Sequence, residues 1–137
     1  MNREIKFRAW DSVHNRMIYL KDAVTFRYDN EFDAYELYFE ENNLKCRGYD
    51  DFDDDFGVTI VNETDLPIME YTGLKDKNGV EVYEGDKVKA KFYGKEVVGE
   101  IGFNSGCFLL WNSCVSDNQL FIFTDIEVIG NIYENEM

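Results

Sequence analysis

Three turn signals fall within residues 70–106 and confine this stretch to short, tightly connected strands. They are Asp76 to Gly79 in "KDKNGVE", Glu84-Gly85-Asp86 in "YEGDKV", and "NSG" at 104–106. Gly79 takes positive φ at little cost, so Asp76 to Gly79 suits a type I turn closed by a G1 bulge. After the second turn, Val88, Ala90 and Phe92 alternate with Lys87, Lys89 and Lys91. That is the period of two of a half-buried strand with lysines on its solvated face. "EVVGEIGF" and "CFLLWN" flank the third turn, and "QLFIF" and "IEVIGNIY" add two further apolar runs. Many short strands at close spacing predict a small β-barrel over residues 70–137.

The first 69 residues predict a second, hairpin-rich β subdomain. In "IKFRAW", Ile5, Phe7 and Ala9 share one face and Lys6, Arg8 and Trp10 the other. "DSVHNR" supplies a turn and "MIYL" a partner strand. "VTFRYD" is rich in β-branched and aromatic residues. "AYELYFEENN" fits either period: Tyr35, Leu37 and Phe39 share a strand face, while Phe32, Tyr35 and Phe39 share a helix stripe. Its aromatic content favours a second hairpin. "DDFDDDFG" predicts an acidic loop, "VTIVN" a strand, and Pro67 the start of an edge strand.

Charge narrows the functions open to the chain. The net charge is -14, and residues 29–65 alone carry 13 acidic and 2 basic groups. Six lysines, Lys75, Lys77, Lys87, Lys89, Lys91 and Lys95, gather in residues 66–95, and residues 96–137 have no Lys or Arg. Phosphate neutralisation needs a positive face, and the long-range field of this chain repels nucleic acid. Direct nucleic-acid binding is therefore not expected. The 3 cysteines, Cys46, Cys107 and Cys114, form no CxxC and are odd in number. They point to a reducing cytoplasm rather than a disulfide framework. No apolar run approaches the roughly 20 residues of a bilayer span, so no membrane partner is expected.

No residue set here carries catalysis. His14 is the only histidine, and it lies in a turn. Any Ser-His-Asp or Cys-His arrangement would have to use it. Asp50, Asp51, Asp53, Asp54 and Asp55 supply oxygen ligands, but an EF-hand loop with Gly57 sixth would start on Phe52, where an acid is required. A solvated acidic loop is the simpler reading, and neither a metal nor a cofactor is expected. Tyr71, Tyr83, Trp111 and Tyr133 are candidate partner-binding aromatics, weighed against core or subunit-contact roles. Asp76, Asn78, Gly79, Gly85 and Asp86 are assigned to turn geometry.

"REIKFRAWD", "YTGLKDKNGVEVYEGDKV" and "EVIGNIYEN" together resemble the signatures of the YopX family of phage and prophage proteins. The resemblance runs from residue 3 to residue 135 and is weakest over 29–65. It implies a β-rich fold whose C-terminal part is an SH3-like barrel, and self-association. It supplies no catalytic residues.

The expectation is thus a mainly β chain. An N-terminal β-hairpin-rich subdomain covers residues 1–69, with the acidic segment at 29–65, and an SH3-like small β-barrel covers 70–137. The expected role is that of a non-enzymatic, cytoplasmic phage or prophage accessory protein. It would self-associate as a homo-oligomer and bind a host or phage protein. The alternative is an acidic DNA mimic that inhibits a host DNA-binding protein. A small hydrolase or a lysine-based nucleic-acid module ranks below both.

Overall fold

The structure is a computed structural model that describes residues 4–12, 15–20, 25–27, 34–53, 59–104, 106–112 and 118–134. Within it, only the backbone is described at 25–27, 34, 49–53, 59–64, 118 and 121. The described residues are almost entirely β, as the alternating patterns predict. They form no α-helix and one 3-10 turn. The chain divides into two compact units. One is Lys6–Ile68, and the other is Met69–Met137 with Met1–Ile5.

In the first unit, β1 (Phe7–Asp11) and β2 (Arg16–Leu20) form the expected hairpin, with Phe7 opposite Leu20 and Asp11 opposite Arg16. Four strands make an antiparallel sheet in chain order: β3 (Thr25–Arg27), β4 (Ala34–Glu40), β5 (Asn43–Asp53) and β6 (Thr59–Leu66). The strand reading of 34–43 is the observed one. Glu41 and Asn42 both take left-handed φ, 51° and 67°, as a two-residue type I′ hairpin turn requires. Ala9, Ile18 and Leu20 of the hairpin pack with Tyr35, Cys46 and Leu66 of the sheet in one core. Gly48 lies directly across the ladder from Tyr35.

Two expectations for this unit need correction. Asp50, Asp51 and Asp53 do not belong to a loop: they lie in β5 and pair in register with Asn62, Val61 and Thr59. A ladder started by a tight turn carries through residues of low β-propensity, because propensity is a weak local term. The rest of the expected loop, with Asp54 and Asp55, lies outside the described residues, as do His14 and Cys114. In β1, Ala9 is buried as expected, but so is Arg8 on the opposite face. Ile5 precedes the strand and is 62% exposed.

In the second unit, β7 (Ile68–Lys75), which begins on the last residue of the first unit, pairs with β8 (Glu81–Tyr83). A five-stranded sheet follows, curled into half a barrel. Its strands are β9 (Asp86–Phe92), β10 (Lys95–Asn104), β11 (Cys107–Trp111), β12 (Asn118–Gln119) and β13 (Thr124–Asn131). The first three form a meander, and β13 returns to pair with β9. Val82, Val88, Ala90, Ile101, Leu110, Leu120 and Phe123 form its core. The 3-10 turn spans Leu120–Ile122, inside "QLFIF". A 3-10 turn brings residues three apart to one side, and Leu120 and Phe123 are both core residues.

Candidate functional site

The long middle motif, Tyr71 to Val88, is mostly consumed in building the second unit. Asp76 Oδ1 accepts hydrogen bonds from the backbone N–H of Asn78 (2.8 Å) and Val80 (2.9 Å). Its Oδ2 accepts from the N–H of Val128 in β13 (2.9 Å), 52 residues away. Lys77 N–H donates to the Ile126 carbonyl, so the turn grips the edge of β13 at two points. Burial pushes the Asp76 pKa up. The N–H groups of Val128, Val80 and Asn78 outweigh it, so the carboxyl sits below its ordinary value. Gly79 and Gly85 both take positive φ, 82° and 83°. Gly85 N–H donates to the Ile101 carbonyl and its carbonyl accepts from Ile132 N–H, while buried Asp86 accepts from Tyr83 N–H at 2.8 Å.

Of the four candidate aromatics, the structure brings two together. Tyr71 and Tyr83 pair across β7 and β8 with ring centroids 5.4 Å apart. They are 4% and 3% exposed, which leaves their rings little face for a partner. Tyr133 is half-buried beside Asn131, whose side-chain oxygen takes its backbone N–H.

Trp111 is different. It is 50% exposed on the outer face of the five-stranded sheet. It stands opposite Glu100, and its indole leans over Gly102, where a Cβ would fall 2.9 Å from Nε1. Val98, also 50% exposed, lies on the same strand face as Glu100 and Gly102. Around this apolar spot the charges alternate in register. Lys87 faces Glu100, Lys91 faces Glu96, and Lys89 lies between Val98 and Glu127. Lys91 Nζ is 3.4 Å from Asp125, and Lys89 Nζ is 4.0 Å from Glu96. The lysine stripe is therefore not a basic face: facing carboxylates cancel it. Val98 and Gly102 escape a sequence reading based on aromatics alone, although a glycine inside a strand signals a close approach by a neighbour.

A cavity of about 360 Å³ opens in the same unit. Leu74, Leu120, Phe123 and Ile126 supply its apolar lining, with Lys75, Lys77 and Asp125 also bordering it. In the first unit the main polar feature is buried. Tyr35 hydroxyl donates to Asp11 Oδ2 at 2.6 Å and accepts from Arg16 Nη2 at 2.6 Å. Burial and the bond to Asp11 hold the phenol well above its ordinary pKa. Among the described residues, no group of three or more His, Cys, Asp and Glu gathers as a metal site, and no helix is long and apolar enough to cross a membrane.

Fold and surface together define a two-unit β-sheet protein whose most exposed tryptophan sits in a self-neutralised field of charge. The chain belongs to the YopX family, which it matches over residues 6–137. It is also similar to a solved structure, protein EF1440 from Enterococcus faecalis, at 25% sequence identity and a TM-score of 0.58. That likeness covers 98% of this chain and 96% of the other. No curated protein matches it.

Proposed function

We propose that the protein is a non-enzymatic, self-associating binding module that docks another protein on its Trp111 face. The observation that carries this reading is the half-exposed indole laid over Gly102. A large aromatic held in place yet open to solvent is what interface anchors look like. The surrounding Lys and Glu side chains fit a polar rim, which excludes water and selects partners more than it adds affinity. The reading extends to a phage or prophage accessory role in the host cytoplasm, which membership of the YopX family supports. The 3-10 turn before a closing strand supports reading the second unit as an SH3-like barrel.

The test is capture from host lysate by the tagged protein, alongside Trp111→Ala and Gly102→Ala. Both variants alter the anchor, the second by displacing the indole. A partner bound by the parent and lost by both variants supports the reading. An unchanged set of captured proteins refutes it. A partner that survives both variants but is released by salt would instead favour the acidic mimic of DNA.

A further inference from the structure

Two interrupted ladders supply the walls of the 360 Å³ cavity. From Tyr71 to Lys75, β7 uses more residues than β8 does from Tyr83 to Glu81, so the ladder bulges between them. Gly73 takes a φ of 90° inside this bulge, and a Cβ there would meet nothing within 4 Å. Conformation rather than space therefore calls for glycine. The Thr72 hydroxyl pins the bulge: it donates to the Val82 carbonyl at 2.7 Å and accepts from Leu74 N–H at 3.2 Å. In β13 a second bulge falls between Thr124 and Glu127, and Asp125 there takes a φ of 51°. The first bulge brings Leu74 and Lys75 to the cavity, and the second brings Asp125 and Ile126. Bulges commonly re-aim side chains next to functional sites.

The charges at the cavity decide what it takes. Asp76 is committed to its three backbone N–H groups. Lys77 Nζ is 3.1 Å from Glu127, and Asp125 is paired with Lys91. Glu81 stands across the ladder from Lys75, yet Lys75 forms no ion pair among the described residues. One uncommitted ammonium thus borders an apolar hollow. We propose that the cavity binds a small monocarboxylate, with its apolar body against Leu74, Phe123 and Ile126 and its carboxylate on the Lys75 ammonium. The volume lies at the small end of the roughly 300–1,000 Å³ of small-molecule sites. A single ammonium matches a single negative charge, whereas a phosphate dianion calls for more cationic side chains than these partnered ones leave open. Lys75 is exposed, so its ion pair adds selectivity more than affinity, and binding rests on the apolar walls. A ligand this small should bind with a dissociation constant on the order of a millimolar. The net charge of -14 opposes any anion, which makes a preference for one a stringent sign of the site.

Trp111 does not line the cavity, so this inference stands or falls without the docking face. The test is an NMR titration of the isotope-labelled full chain with three probes of one apolar body: hexanoate, hexanol and hexylammonium. Hexanoate should move the amide signals of Leu74, Lys75 and Ile126 and saturate, binding about fivefold tighter than hexylammonium. Lys75→Gln should weaken hexanoate by about fivefold and leave hexanol unchanged. Lys75→Glu should reverse the preference towards hexylammonium. Leu74→Asn should weaken all three probes. Because Leu74 and Lys75 are both exposed, these variants should keep the parent's spectrum elsewhere. Shifts that never saturate, or that fall away from the cavity, overturn the proposal. So does hexanoate binding that is no tighter than that of hexylammonium, or that is indifferent to Lys75→Gln.

Discussion

Replacing Asp76 should loosen the second unit more than any other exchange in its turns. Its two carboxylate oxygens hold three backbone N–H groups at 2.8, 2.9 and 2.9 Å. Hydrogen bonds to a charged group are worth about 1.5–3 kcal/mol each, and a donor left unpaired in a buried place adds its desolvation cost. The side chain is nearly buried, but it lies at a turn where water can reach part of what is exposed. The expected loss for Asp76→Ala is therefore about 3–4 kcal/mol rather than the full sum. Asp76→Asn keeps one oxygen for Asn78 and Val80 but sets an amide donor against Val128 N–H, which should cost about 2 kcal/mol. The assay is urea unfolding followed by tryptophan fluorescence, across pH. The folded pKa of Asp76 is depressed, so its stabilisation is complete above the unfolded value of about 3.9 and is lost as pH falls below it. The gap between the parent and Asp76→Asn should therefore narrow in acid. A gap of the same size at every pH, or an alanine variant within about 1 kcal/mol of the parent, would refute the clasp.

Gly99→Ala should unfold the five-stranded sheet or nearly so, because its Cβ would overlap the Trp111 carbonyl oxygen and lie 2.5 Å from Leu110 Cδ2; circular dichroism reads this directly. Glu84→Gln should stabilise at neutral pH and make no difference near pH 4, as thermal melts would show. Burial, opposed by Glu70 N–H and aided by the Glu70 charge, raises the Glu84 pKa, so the parent loses stability as pH rises through it. Tyr35→Phe removes the hydroxyl that donates to buried Asp11 and should cost about 1–3 kcal/mol in urea unfolding. Cys46, whose thiol burial pushes up to about 11, should resist alkylation in the native state while half-buried Cys107 reacts, as peptide mass mapping would report.

The parts of this fold that read from sequence are those set by neighbours in the chain. Asn78-Gly79, Gly106 and the alternation through Val88 and Ala90 each carry their own conformational signal, and the hairpins they predict are present. Tyr93 gives no turn signal, since nothing local favours positive φ for a tyrosine. The acidic stretch misleads because composition speaks for solvent, while the ladder from Glu41-Asn42 decides the backbone. Most hidden are contacts that join distant residues. Asp11 and Arg16 read as ordinary hairpin charges until Tyr35 closes over them. Asp76 reads as a turn residue, and its bond to Val128 is visible only in space. The Trp111 face was half legible: the indole was named, but the glycine beneath it and the cancelled lysines need the register.

The pairing of β13 with β9 bears on how the protein is born. On the ribosome, β9 emerges well before its edge partner, separated by the whole stretch from Phe92 to Thr124. At roughly 5–20 residues per second, that leaves the edge of β9 open for a time on the order of seconds. During that interval Lys87, Lys89 and Lys91 guard an unpaired edge against other nascent chains, as strand-borne charge commonly does. The lysines that read from sequence as a solvated strand face thus protect the growing chain until β13 arrives.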